Sequence, residues 1–141
     1  MNKLLLKDWY VICRKEEIED NKILLKYVFD QEIIIWKKKE RIMAWENLCI
    51  HRGSRLSLGS INNGILKCAY HGWEYNQDAQ CVKIPSQPDI KIPKKACVKS
   101  YKVIEKMNMV WINLSKDTND FVNIKEFNES NFNYVSSGPY L

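Results

Sequence analysis

At 141 residues, 45% hydrophobic and 28% charged, the chain is long enough to bury one core and ordinary in composition for a single globular domain. Its five cysteines are an odd number, which argues against a full disulfide framework, and Leu4-Leu5-Leu6 is too short for a signal-peptide core or a membrane span. The net charge of +5 lacks interleaved aromatics or a known module, which argues against a nucleic-acid partner and leaves a soluble, cytoplasmic protein as the expectation.

In chain order, the sequence reads as short strands between turns, with little helical periodicity. Trp9-Tyr10-Val11-Ile12-Cys13 is an apolar, β-prone run, followed by a charged connection at residues 16–21. Residues 23–29 and 32–36 are two strands whose hairpin turn is expected at Asp30-Gln31. Residues 41–47 form a further strand that ends two positions before Cys49. Asn62-Asn63-Gly64 is a strong turn signal, and Ile65-Leu66-Lys67 leads from it into Cys68. Residues 73–75 and 81–84 make another hairpin around Gln77-Asp78-Ala79, and Pro85, Pro88 and Pro93 mark an irregular connection. Residues 101–104 and 109–114 close the domain as a hairpin through Lys106-Met107-Asn108. Beyond Ser115 the chain turns rich in Asn, Asp and Glu, and residues 117–141 read as an extended or partly helical tail made to lie on something else.

The chemistry concentrates in two short texts. Both histidines of the chain stand in paired ligand motifs, Cys49-x-His51 and Cys68-x-x-His71, with sixteen residues between them. Thiolate and imidazole are the donors an iron or zinc site uses, and two loop tips facing each other make a four-ligand cup. Gly53 and Gly72 come just after the histidines, where the backbone turns sharply and its N–H groups can face sulfur. Cys13, Cys81 and Cys97 form no ligand-like pair and are expected to be buried, reduced thiols. A zinc site of Cys2His2 type can use similar donors, although zinc motifs tend to group Cys with Cys and His with His.

The texts Cys49-Ile50-His51-Arg52-Gly53 and Cys68-Ala69-Tyr70-His71-Gly72-Trp73 resemble the cluster-binding sequence of Rieske [2Fe-2S] proteins, in which two histidines replace two cysteines on one iron. The resemblance implies one [2Fe-2S] cluster per chain, with Cys49 and Cys68 on the inner iron and His51 and His71 on the outer one. It implies an all-β, antiparallel sandwich or barrel with a small inserted cluster-binding subdomain. The Rieske domain would cover residues 1–116, its cluster-binding part about 46–85. Arg52, Gly53, Tyr70, Gly72, Trp73 and Tyr75 would surround the ligands.

Within the family, the respiratory branch carries an extra cysteine in each loop, and the corresponding places here hold Ser54 and Tyr70. That branch also keeps a serine hydroxyl where this chain has Trp73, while Tyr75 stands where it keeps a tyrosine. Fewer hydrogen bonds to sulfur imply a potential on the order of −150 mV. The match runs from about residue 8 to 115 and is best to the N-terminal domain of Rieske oxygenases, through Leu56-Ser57-Leu58-Gly59, residues 70–73, Ile84-Pro85 and Met109-Val110-Trp111-Ile112. One departure is Ala79, where the family usually has Gly; a positive φ there would cost about 1 kcal/mol. With both histidines committed to a cluster, none remains for a mononuclear iron.

The expected function is therefore one-electron transfer as the N-terminal portion, a fragment or truncated form, of a Rieske oxygenase subunit. Its partners would be a reductase or ferredoxin donor and a catalytic non-haem iron domain as acceptor, with a homo-oligomer possible for the full subunit. The alternative is a free-standing Rieske ferredoxin. An exposed apolar face from Phe121, Phe127, Phe132 and Tyr134 would favour the first, and a tail packed wholly on its own domain the second. Basic residues at Lys37-Lys38-Lys39 and around Lys91, Lys94 and Lys95 are expected to be solvated, with a docking patch for an acidic redox partner as the other reading. Trp9, Trp36, Trp45 and Trp111 are expected in the core.

Overall fold

The computed structural model describes residues 5–133 and 135. Ten strands follow in chain order: β1 (Trp9–Arg14), β2 (Leu24–Val28), β3 (Gln31–Lys38), β4 (Arg41–Glu46), β5 (Ser60–Asn62), β6 (Ile65–Lys67), β7 (Glu74–Tyr75), β8 (Cys81–Lys83), β9 (Ser100–Lys106) and β10 (Met109–Asn113). Helical structure among the described residues is limited to short 3-10 turns. Six strands form one antiparallel sheet in the order β1-β10-β9-β4-β3-β2, and its edge strands β1 and β2 approach each other, so the sheet nearly closes into a barrel. The other four form a small antiparallel sheet, β5-β6-β7-β8, inserted between β4 and β9.

The centre of β3 explains how the two units are joined. Ile33-Ile34-Ile35-Trp36 is apolar without alternation, because both faces of this strand are buried. Ile33 and Ile35, with Ala44 on β4, pack with Ile12, Tyr101, Val110 and Ile112 inside the barrel. Ile34, Trp36, Met43 and Trp45 point the other way and pack with Leu56, Ile61, Leu66 and Tyr75 of the small sheet. The rings of Trp36 and Trp45 meet edge to face at 5.0 Å. Two cores therefore share one wall.

The turns follow the expected places with one shift. Asn63 and Gly64 both take positive φ (50° and 77°), as do Met107 and Asn108 (57° and 56°), the backbone that a two-residue hairpin with right-handed strand twist requires. Between β2 and β3 the pairing of Val28 with Gln31 puts the turn at Phe29-Asp30, one residue earlier than expected. Phe29 takes φ 52°, and its ring is held edge to face on Tyr10 at 5.1 Å, which offsets the backbone cost of that conformation.

Of the four tryptophans expected in the core, Trp36 and Trp45 are fully buried, whereas Trp9 and Trp111 lie half-buried on the outside of the barrel. There they receive the start of the tail. The Phe121 ring meets Trp111 edge to face at 5.0 Å and Trp9 at 6.1 Å, with the Lys106 ammonium 4.9 Å from its centre. Trp9 Nε1 donates to the Asn119 carbonyl, and Asn119 N–H donates to the Lys7 carbonyl. The tail is thus latched onto β1 and β10 as far as Phe121. Beyond it, Val122, Ile124, Phe132 and Val135 are exposed; the Phe127 side chain and Tyr134 lie outside the described residues. No helix among the described residues is long and apolar enough to cross a membrane.

Candidate metal centre

The two ligand texts fold into the same backbone loop. In the first, Cys49 N–H donates to the Ser54 carbonyl (2.8 Å) and Gly53 N–H returns to the Cys49 carbonyl (2.9 Å). In the second, Cys68 N–H donates to the Trp73 carbonyl (2.8 Å) and Gly72 N–H returns to the Cys68 carbonyl (3.1 Å). Gly53 and Gly72 occupy equivalent places at φ 68° and 69°, a conformation that L side chains rarely adopt. The histidines are not equivalent: His51 is two residues after its cysteine and His71 three. The shared motif is Cys-x-x-x-Gly, with the imidazole placed at either of two positions inside it.

Both loops rise from the same end of the molecule. Cys49 and Cys68 are buried at 3% and 2% exposure, both are free thiols, and their sulfurs lie within hydrogen-bonding reach of each other. The Tyr75 hydroxyl lies 3.1 Å from Cys49 Sγ. Burial pushes the Cys49 thiol above its usual value, while the Tyr75 hydroxyl and the His51 backbone N–H pull it down by favouring the thiolate. Burial, with Cys49 next, likewise raises the Tyr75 hydroxyl, so it remains protonated.

Nearer the surface the imidazoles of His51 and His71 face each other at 4.6 Å between ring centres. His51 stacks flat on Trp73 (4.6 Å, 7°), and Tyr70, exposed, tilts over His71 at 3.8 Å. Desolvation, then the neighbouring His71 and Arg52, holds His51 below the usual imidazole range, in the neutral form a metal requires. Arg52 itself is exposed. The four donors are thus brought together, with Trp73, Tyr70 and Tyr75 against them.

Among the described residues no three His, Cys, Asp or Glu side chains converge on a single ion position. The donors come in pairs instead, two thiols inside and two imidazoles outside, as a binuclear group needs and a tetrahedral zinc does not. His51 Nδ1 is buried without a hydrogen-bond partner, a lone pair left over for a ligand bond. The residues fit a [2Fe-2S] group.

The Rieske [2Fe-2S] domain family matches residues 8–102. The chain belongs to the Rieske [2Fe-2S] family. Such a domain transfers one electron at a time through its [2Fe-2S] cluster. Relatives include the chloroplast protein TIC 55 of Arabidopsis thaliana, 37% identical over 114 residues, covering 79% of this chain and 21% of that protein. The vanillate O-demethylase oxygenase subunit of a Pseudomonas strain is 37% identical over 105 residues, 74% of this chain and 28% of its own. The Pseudomonas putida NdmA QL mutant with theobromine superposes with a TM-score of 0.78 at 27% identity, over 89% of this chain and 40% of that one. The chain spans between about a fifth and two fifths of the length of these relatives.

Three features of this Rieske domain were not legible in the motif. Asn47, buried at 3% exposure, ties the first loop to β3 through Glu32 and to Ser57. Cys81 is a third buried thiol close enough to feel the charge of Cys49. Cys97, by contrast, is exposed rather than buried: the prolines before it open the connection to solvent, and its sulfur lies 3.2 Å from both Gln80 Oε1 and the Lys94 carbonyl, either of which can accept its one proton.

Proposed function

We propose that this Rieske domain is the electron-carrying portion of a non-haem iron oxygenase subunit, with Cys49 and Cys68 holding the inner iron and His51 and His71 the outer one. The observation that carries the ligand assignment is the buried, unpartnered Nδ1 atom of half-buried His51, facing the exposed His71 across 4.6 Å, with the buried thiols of Cys49 and Cys68 beside each other at the base of the same loops. When bound, a Rieske cluster supplies a one-electron couple whose two neutral imidazoles leave less negative charge than four thiolates would.

The chain's own groups set the conditions for that couple. Tyr75, wholly buried, holds its hydroxyl 3.1 Å from the Cys49 sulfur, where it would donate to a metal-bound thiolate. Trp73 covers one face of His51 and fixes the ring plane. His71, less covered, offers its edge to a partner, and Leu48, Ile50 and Tyr70 beside the loops are exposed apolar side chains suited to a protein surface. The Lys37-Lys38-Lys39 run lies elsewhere: Lys38 packs against the Asn63-Gly64 turn, at the opposite end of β6 from Cys68. An acceptor at His71 and a donor drawn to these lysines would use different faces.

The relatives named as an oxygenase subunit and a demethylase support the oxygenase reading. Oxygen activation there would need histidines beyond the two in this chain. The tail divides at Phe121, which we take as the end of the Rieske unit. Of the four aromatics set to separate the two readings, Phe121 packs on its own domain and Phe132 is exposed, while the Phe127 side chain and Tyr134 lie outside the described residues. Together with exposed Val122, Ile124 and Val135, Phe132 supports a surface made to pack on a further domain over a free-standing ferredoxin. The donor would be a reductase or ferredoxin, and the compartment is proposed to be cytoplasmic.

Anaerobic reconstitution followed by iron, sulfide and zinc analysis tests the ligand assignment. Two irons and two sulfides per chain are expected, lost in the Cys68→Ser variant. One zinc per chain and no sulfide would refute it.

A further inference from the structure

The first candidate ligand loop is braced by side-chain hydrogen bonds, whereas the hydrogen bonds that close the second, among the described residues, are backbone ones. Asn47 sits two residues before Cys49, at the end of β4. Its Nδ2 donates to Glu32 Oε2 (2.8 Å) and Ser57 Oγ (3.0 Å), and its Oδ1 accepts the Ser57 backbone N–H (2.7 Å). Its own backbone N–H donates to the Glu32 carbonyl (3.0 Å). Glu32 Oε1 in turn accepts from Arg55 Nη2 (2.7 Å). Every side-chain group of this buried amide that can donate is used, and the ring Glu32, Asn47, Ser57, Arg55 closes residues 47–57 onto β3.

We infer that Asn47 is the positioning residue of the iron site: its amide pins both ends of the Cys49–His51 loop to the barrel and so fixes where these two side chains meet Cys68 and His71. The inference rests on the ligand assignment proposed above. An amide is required because the group must donate to a carboxylate on one side and accept an N–H on the other. A carboxylate at 47 keeps the shape and the accepting oxygen but turns the donor toward Glu32 into a second negative charge. A buried polar group left so mismatched loosens the loop, whereas a surface loop would tolerate it.

The test uses the full chain with its cluster and follows release of iron to a chelator, alongside the visible and paramagnetic spectra. Asn47→Asp is expected to release iron at least tenfold faster than the parent and to broaden the reduced-state signal. The double variant Asn47→Asp with Glu32→Gln reverses donor and acceptor across the same contact and is expected to return the rate to within threefold of the parent. If Asn47→Asp fails to hold a cluster at all, the double variant must restore loading. Parent-like release by Asn47→Asp, or a double variant no better than the single one, overturns the inference. A parent chain that binds no cluster instead overturns the ligand assignment, so the two failures are separable.

Discussion

At the scale of single residues, hydrogen bonds and burial decide what the thiols and hydroxyls do. The Tyr75 hydroxyl is placed to donate to the Cys49 sulfur, which would carry more negative charge in a reduced cluster, so removing the hydroxyl would disfavour reduction. A net hydrogen bond of about 1 kcal/mol corresponds to roughly 40 mV for a one-electron couple. Tyr75→Phe is expected to lower the potential by about that amount in a spectroelectrochemical titration; an unmoved potential means the bond to sulfur is absent. Cys13 shows burial at work away from the site. Desolvation, then the nearby Glu17, pushes its thiol up to about 12 from 9. A raised folded-state value means the stability held by the neutral thiol is complete below pH 9 and is lost as pH climbs toward 12. The stability advantage of the parent over Cys13→Ala in urea titrations is expected to shrink by on the order of 2 kcal/mol between pH 8 and 11. A constant gap would show that the thiol ionises as freely in the fold as outside it.

Elements carry the next level, and here turn chemistry and strand burial separate what the sequence reveals from what it hides. Asn63-Gly64 announced its hairpin because both residues favour positive φ, and the structure uses it so. Phe29 gave no such signal, since only its contact with Tyr10, distant in sequence, makes that backbone tolerable. Cys49, His51, Cys68 and His71 stood out in the sequence because Cys and His are the residue types that ligand chemistry uses, and the structure brings their loops together, whereas Asn47 looked like any strand end until Glu32 and Ser57 met it. Cys97 and the outer tryptophans were misplaced for the same reason: burial is set by the partner element, which composition does not name. Strain at turns yields a paired test. Exposed Lys39 holds φ 55°, and Lys39→Gly is expected to stabilise by about 0.5–1 kcal/mol in thermal unfolding. Ala79, at φ 61°, carries the strain expected of it, yet its methyl is fully buried. Ala79→Gly relieves about 1 kcal/mol and gives up about 0.8 for one buried carbon, so its stability is expected to change little. A large gain at Ala79 would mean the methyl contributes nothing to packing.

Across the whole molecule, a near-closed barrel and a small inserted sheet share the wall made by β3 and β4, and the proposed iron site lies between the two loops that carry Cys49 and Cys68. Burying both faces of Ile33-Ile34-Ile35-Trp36 joins the two units, so the first candidate ligand loop is tied through Asn47 to a strand that is packed on both sides. This arrangement holds the donors in place before any partner arrives, with thiols inside, imidazoles outside and His71 toward the surface. Whether two imidazoles replace two thiolates on one iron is the claim on which everything else depends, and the reduction potential reads it directly. A potentiometric titration of the reconstituted chain is expected to show a single one-electron wave on the order of −150 mV, and one near −400 mV, the range of all-cysteine clusters, would contradict the account.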